Sequence, residues 1–190
     1  MKNSLKPISL LFLLFLFLNS RSPDAYAETQ IAGSKAINSE IYVVDENGKS
    51  RAFFDDILGD SPAVINFLYT RCAGICPTLG RRFVSLQKAL GKTDVKLISI
   101  TIDPEQDDAK ALKAWSKNIG AKPGWTFITG KREDLNHISE RVYGAPLIDK
   151  DMHAPMLVLR TKGGPWIRMD GFSSAKVLRA KLENKKFPEL

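Results

Sequence analysis

The stretch Ala63-Val64-Ile65-Asn66-Phe67-Leu68-Tyr69-Thr70-Arg71-Cys72-Ala73-Gly74-Ile75-Cys76-Pro77 decides how the rest of the chain is read. Its first seven residues are nearly all apolar, β-branched or aromatic, the composition of a central strand buried on both faces. Beyond it, Leu79, Phe83, Leu86 and Leu90 recur at helical spacing along one face, and Gly91 supplies a stop. Pro77 suits the first helical position, where no backbone N–H is needed. The two cysteines, the only ones in the chain, therefore fall in the turn (Cys72) and at the helix N-terminus (Cys76). Unpaired backbone N–H groups and the helix dipole favour a thiolate there, and Arg71, Arg81 and Arg82 add positive charge nearby. Both thiols are expected to ionise more readily than a free cysteine.

Working outward, Ile41 to Val44, Asp45 to Gly48 and Arg51 to Phe54 read as a hairpin around an Asn-Gly turn at the N-terminal edge of a sheet. Asp55 to Leu58 suggests a short helix. Val95 to Ile102 alternates cleanly and ends at Asp103-Pro104, a second strand whose carboxyl end lies close to the first. A helix is expected from about Gln106 to Ile119, a third core strand over Trp125 to Thr129 and a helix over Glu133 to Tyr143. Strands over Met156 to Arg160 and Ile167 to Asp170, with a last helix from Ser174 to Asn184, complete the reading. Alternating strands and helices imply parallel pairing through crossovers. The closing antiparallel pair and helix make the whole an α/β chain in thioredoxin-like order: a central mixed sheet flanked by helices, with an N-terminal β-hairpin. Such a fold carries its reactive turn after the first central strand, where the cysteines lie.

The 190 residues suffice for one domain with a proper core. Residues 1–27 stand apart: Lys2 and Lys6 give a basic start, Ile8 to Leu18 an apolar run, and Ala25-Tyr26-Ala27 a small-x-small cleavage pattern. This reads as a signal peptide, with an uncleaved anchor as the lesser alternative because the apolar run is short of the roughly 20 residues a spanning helix needs. Residues 28–40 are a polar lead-in, and 41–190 form the domain. The expected location is exported and periplasmic, or tethered to the inner membrane facing the periplasm if the leader stays. Removing the leader takes away three basic residues and one acidic one, so the net charge falls from +7 to +5. The excess base is not clustered with aromatics, which argues against a nucleic-acid footprint, while an acidic protein or membrane surface suits it. An exported domain meets oxidising conditions, where Cys72 and Cys76 can form a disulfide. So short a loop gains little chain-entropy stabilisation, so a structural staple is the weaker reading.

Dithiol redox centres of thioredoxin type place two residues between their cysteines, whereas Ala73, Gly74 and Ile75 stand between these two. The wider turn lets both sulfurs point to a common outside position, and Gly74 adds the backbone freedom to do so. Two thiolates select soft metals, Cu(I) above all, and imidazole is compatible with copper in either oxidation state. Only His137 and His153 are available as a third ligand. His137 falls within a polar helix and is expected at the surface. His153 immediately precedes a core strand, in the loop that this fold brings to the first helix's N-terminus, and is the expected ligand. Met152 is an auxiliary thioether candidate and Met156 is expected in the core. Asp151 is a candidate to orient His153, and Asp103 either accepts a hydrogen bond near the site or starts a turn. Residue types and spacing stop there, at a soft-metal or redox site.

The run Asn66-Phe67-Leu68-Tyr69-Thr70-Arg71-Cys72-x-x-x-Cys76-Pro77, the strand end Ser99-Ile100-Thr101-Ile102-Asp103-Pro104-Glu105 and the loop Asp151-Met152-His153 resemble the Sco/SenC copper-chaperone family. The likeness covers about Ile41 to Phe172, with the three motifs in the family's order. It implies copper held at Cys72, Cys76 and His153. It further implies delivery to the binuclear copper site of the copper-bearing subunit of cytochrome c oxidase or a related exported cuproprotein, with a copper donor or thiol reductant as a second partner. The alternative is a thiol:disulfide oxidoreductase that uses Cys72 and Cys76 as a redox dithiol to reduce an apo copper site. A binding module with a structural disulfide is the third reading. Many members of that family carry an N-terminal anchor, whereas this leader has a cleavable form. Pro155 resembles the cis-proline that thioredoxins place against their dithiol.

Overall fold

The computed structural model describes residues 40–147, 149–150 and 154–183. Seven strands form one sheet in the order β2-β1-β5-β4-β3-β6-β7. The strands are β1 (Tyr42–Asp45), β2 (Ser50–Ala52), β3 (Ala63–Leu68), β4 (Lys96–Thr101), β5 (Trp125–Thr129), β6 (Met156–Arg160) and β7 (Ile167–Asp170). The helices are α1 (Cys76–Leu90), α2 (Ala109–Ile119), α3 (Arg132–Tyr143) and α4 (Ala175–Leu182). β3, β4 and β5 are parallel, while the hairpin β1–β2 and the pair β6–β7 join antiparallel at the two edges. This is the mixed thioredoxin-like arrangement that the alternation of patterns implies.

β3 is central and every one of its residues is buried, as its unbroken apolar run requires. Its successive side chains feed two cores on opposite faces of the sheet. Ile65 and Phe67 join Ile98, Ile100, Leu135 and Ile138 beneath α3. Val64 and Leu68 join Phe83, Leu86, Leu112, Trp115 and Leu178 beneath α1, α2 and α4. The second core also takes in Cys72 and Cys76, so the reactive turn is continuous with packed interior rather than perched on a mobile loop. A polar rung crosses this face: Trp125 Nε1 donates to Ser99 Oγ at 2.9 Å, and Ser99 Oγ donates to Asn66 Oδ1 at 2.5 Å. The partners satisfy one another, so Asn66 is tolerated in the middle of a buried strand.

Most element boundaries differ from the sequence reading by a residue or two, among them those of β1, β4 and α4, and the larger differences have physical causes. The chain after β2 forms a single π-helical turn, Phe53–Leu58, which absorbs Phe53 and Phe54; both aromatics pack edge to face, with Phe53 fully buried. α2 begins at Ala109 rather than near Gln106. Asp108 caps it by accepting the Ala111 N–H at 2.7 Å, and Gln106 and Asp107 belong to a turn closed on the Asp103 carbonyl. α3 begins one residue earlier, at Arg132.

Gly80 lets α1 and α2 approach closely. A Cβ there would stand 2.9 Å from the Trp115 ring and 3.3 Å from Ile119. Gly80→Ala is expected to cost about 1–3 kcal/mol through overpacking, despite alanine's better helix propensity. Thermal unfolding checks this, and a variant at least as stable as the parent would show that Trp115 moves aside freely.

Candidate functional site

The site begins where β3 ends. Leu68 pairs with Thr101 across the parallel ladder, so the exit of β3 and the exit of β4 lie side by side. Asp107 reaches into this junction from the turn before α2 and is fully buried. Its carboxylate accepts the Thr70 N–H at 2.9 Å, the Thr70 hydroxyl at 2.5 Å and the Thr101 hydroxyl at 2.7 Å. Two residues before Cys72, the chain is thus clamped to the neighbouring strand by one acid. The sequence reading overlooked Asp107. Asp107 and Asp108 are adjacent and chemically identical, and only the turn that precedes α2 sends one inward and leaves the other as a cap.

From Thr70 the chain turns, with Cys72 N–H donating to the Tyr69 carbonyl at 3.2 Å, and enters α1 at Cys76, with proline in the first turn as expected. The Cys76 N–H donates to Cys72 Sγ at 3.3 Å. The helix N-terminus is therefore aimed at one sulfur, that of Cys72. Both cysteines are free and buried, Cys76 at 1 % and Cys72 at 8 % exposure, and both belong to the packed cluster under α1.

The two thiols do not behave alike, which corrects the expectation that both ionise readily. Burial opposes ionisation of Cys72, but the hydrogen bonds it accepts outweigh burial. They come from the Cys76 thiol and backbone N–H, Gly74 and Tyr69, and they pull its pKa below the ordinary thiol value. Cys76 is buried more deeply and gives its S–H to Cys72, and its pKa is pushed up to about 12. The shift at Cys72 follows from these short contacts. Arg71, Arg81 and Arg82, which were expected to help, lie in solvent, where screening weakens them.

His153, Met152 and Asp151 lie outside the described residues. Their described flanks stand at the same end of the sheet as the cysteines. Lys150 Nζ meets the Asp103 carboxylate at 3.3 Å just past β4, and β6 re-enters the sheet with Leu157 opposite Asn66 of β3. Asp103 plays both parts expected of it, since its carbonyl closes the turn before α2 while its carboxylate takes Lys150. Beside it, the Arg132 guanidinium pairs with both oxygens of Glu105, holding that carboxyl below the usual range, and donates to the Ile102 carbonyl at 3.0 Å. Met156 is half-buried rather than core. Its sulfur accepts the Tyr143 hydroxyl at 2.7 Å, and it lines a small apolar depression with Phe67, Ile102, Leu147 and Ala154. His137 is on the surface as expected, 3.4 Å from Glu140. The Ala154–Pro155 bond is trans, so the cis form seen in thioredoxins is not shared.

Among the described residues no group of three or more histidine, cysteine or acidic side chains is arranged to hold a metal ion. Cys72 and Cys76 are two free sulfur side chains brought to one turn. Among the same residues no helix is long and apolar enough to cross a membrane.

The model of the SCO1/SenC family matches residues 29–164. A SCO2-like protein of Rickettsia conorii is 29 % identical over 133 residues, which make up 67 % of this chain and 63 % of that relative. The chain thus spans less than two thirds of that relative's length. Among solved structures, BsSco, described as a Sco-family cytochrome c oxidase assembly protein with a disulfide switch, superposes with a TM-score of 0.65 at 22 % identity, over 79 % of this chain and 95 % of that one. Bradyrhizobium japonicum ScoI with copper bound gives 0.62 at 24 % identity, over 80 % and 100 %. These likenesses show that the fold is shared. With the Cys-x-x-x-Cys turn seated at the end of the central strand and the family match running through it and beyond β6, this chain belongs to the SCO1/SenC family.

Proposed function

We propose that this chain is a copper carrier that takes up Cu(I) through Cys72, Cys76 and His153 and hands it to the copper-bearing subunit of cytochrome c oxidase or a similar exported cuproprotein. The observation that carries the reading is the sulfur pair. Two free cysteines converge at one strand-to-helix turn, with a helix-terminal N–H on the sulfur of the first and rigid core behind both. Thiolates are the side chains that select Cu(I), and an imidazole completes a low-coordinate set from which the ion can be released. Family membership and the copper-bound relative support the cargo. Because oxidation of the pair to a disulfide removes both sulfur donors, cargo release and thiol redox state are linked. The proposed setting is periplasmic, with residues 1–27 acting as the export leader.

The unequal thiols favour a second reading, a thiol:disulfide oxidoreductase. Cys72 has the lowered pKa of an attacking thiol and Cys76 the protonated, buried state of a resolving one. BsSco, with its disulfide switch, has the same fold.

A competition titration of Cu(I) into the reduced chain separates the two. The parent is expected to bind one equivalent tightly, Cys72→Ser to lose tight binding, and His153→Ala to weaken it at least tenfold while its thiols remain reactive. Affinity unchanged in His153→Ala would remove the histidine from the site, and weak binding by the parent itself would move the function to thiol exchange.

A further inference from the structure

Around the cysteine turn lies a surface that the carrier reading does not use. Phe172, in the loop between β7 and α4, is 40 % exposed and is one of two large hydrophobic side chains left in solvent among the described residues. It is not loose. The Phe172 N–H donates to Asp170 Oδ1 at 2.7 Å, and the Phe172 carbonyl accepts from Arg82 at 2.5 Å, while the Arg82 guanidinium lies 5.2 Å from the Phe172 ring centroid. The preceding Gly171 donates its N–H to the Pro155 carbonyl at 2.5 Å, and a Cβ on Gly171 would stand 3.0 Å from Leu79 of α1. One rigid contact thus joins the Phe172 loop, the residues just after His153 and the first turn of α1. Arg82 reaches Phe172 directly, Arg81 is its neighbour in α1 and Arg71 precedes Cys72; all three are exposed, and among the described residues no carboxylate pairs with any of them.

We propose that Phe172 and the arginines at positions 71, 81 and 82 form a docking collar for an acidic, apolar-tipped segment of the protein partner that exchanges with the cysteine turn. The proposal rests on that turn being the exchange site. Charge selects the occupant. A second copy of this chain docked face to face would set these arginines against themselves, whereas carboxylates on a partner would meet all three. A fixed aromatic beside a cationic rim suits a protein segment that buries an apolar side chain at the centre of the contact.

The test needs no copper. The reduced full chain is mixed with short peptides whose single cysteine is disulfide-linked to 5-thio-2-nitrobenzoate. The Cys72 thiolate attacks the peptide sulfur, a Cys72–peptide disulfide forms, the peptide–aryl S–S bond breaks, and the coloured aryl thiolate leaves with the electron pair. One peptide carries glutamates and a leucine beside its cysteine, a second carries lysines and the leucine, and a third carries glutamates with serine in place of leucine. The parent is expected to prefer the first over the second by about tenfold at low salt. In the double variant Arg81→Glu with Arg82→Glu that preference is expected to vanish. Lys110→Glu with Lys117→Glu, the same charge change on the outer face of α2, is expected to keep it. Phe172→Ser is expected to lose only the preference for leucine over serine. Equal rates for acidic and basic peptides with the parent, or an equal loss in the α2 variant, would overturn the collar. Preference for anionic vesicles over the acidic peptide in a competition of the two would reassign it to a membrane surface. Copper affinity, measured separately, reports on the carrier reading without bearing on this result.

Discussion

Replacing Asp107 with alanine is expected to lower the unfolding free energy by about 3–5 kcal/mol, a large share of what a domain this size possesses. The acid is fully buried and accepts three hydrogen bonds that join the exit of β3 to the exit of β4. Truncation strands the fully buried Thr101 hydroxyl and the half-buried Thr70 N–H and hydroxyl without their acceptor, which is costly wherever water cannot replace it. Asp107→Asn is expected to fall between parent and alanine variant, since an amide oxygen in place of Oδ2 still accepts the Thr70 N–H and the Thr101 hydroxyl, while an NH₂ in place of Oδ1 can only donate, so the Thr70 hydroxyl must turn to accept from it. Urea unfolding reads both. A midpoint that stays at the parent's value would mean that water enters the junction and that the carboxylate is dispensable. Because Thr70 precedes the cysteine turn by two residues, loss of the clamp is also expected to loosen the turn before it unfolds the core.

The second large effect is chemical. In the reduced, metal-free chain, iodoacetamide is expected to modify Cys72 first and almost exclusively at pH 7.5. Alkylation follows the thiolate fraction. With Cys76 pushed up to about 12 and Cys72 below the ordinary 9.0, the first-hit ratio is expected to exceed about tenfold, the lower intrinsic nucleophilicity of the more acidic thiolate included. The sign is fixed by the direction of the shift. Thiolate at Cys72 persists to a lower pH than in an ordinary cysteine, so its rate levels off earlier as pH rises and falls only when the pH drops through the depressed value. Peptide mapping after a short pulse reads the site, and a pulse series across pH reads the midpoint. Equal labelling of the two, or a Cys72 midpoint at the ordinary thiol value, would contradict the hydrogen-bond arrangement around its sulfur.

The element order came almost entirely from local pattern. β5, β6 and β7 occupy the residues expected of them, because short apolar and aromatic runs bounded by turn residues are legible from the strand's own neighbours. The start of α1 at Cys76 followed from Pro77, a residue whose ring geometry acts on its neighbours alone. Where a boundary moved, a contact distant in sequence moved it. α2 starts late because the preceding turn folds back so that Asp107 can reach Thr70, 37 positions away, and no local propensity reports that.

What the sequence determined by itself was the α/β order, the place of the cysteine pair at a strand-to-helix turn and the family those motifs belong to, all carried by residue type and spacing along the chain. What only the tertiary structure decided was which acid is buried and which caps, why one thiol ionises while the other holds its proton, and that Phe172 is fixed beside the site. Those depend on burial and on hydrogen bonds between segments. A thiol's proton affinity is set by the solvent it loses and the donors it meets, and neither is written in its immediate neighbours.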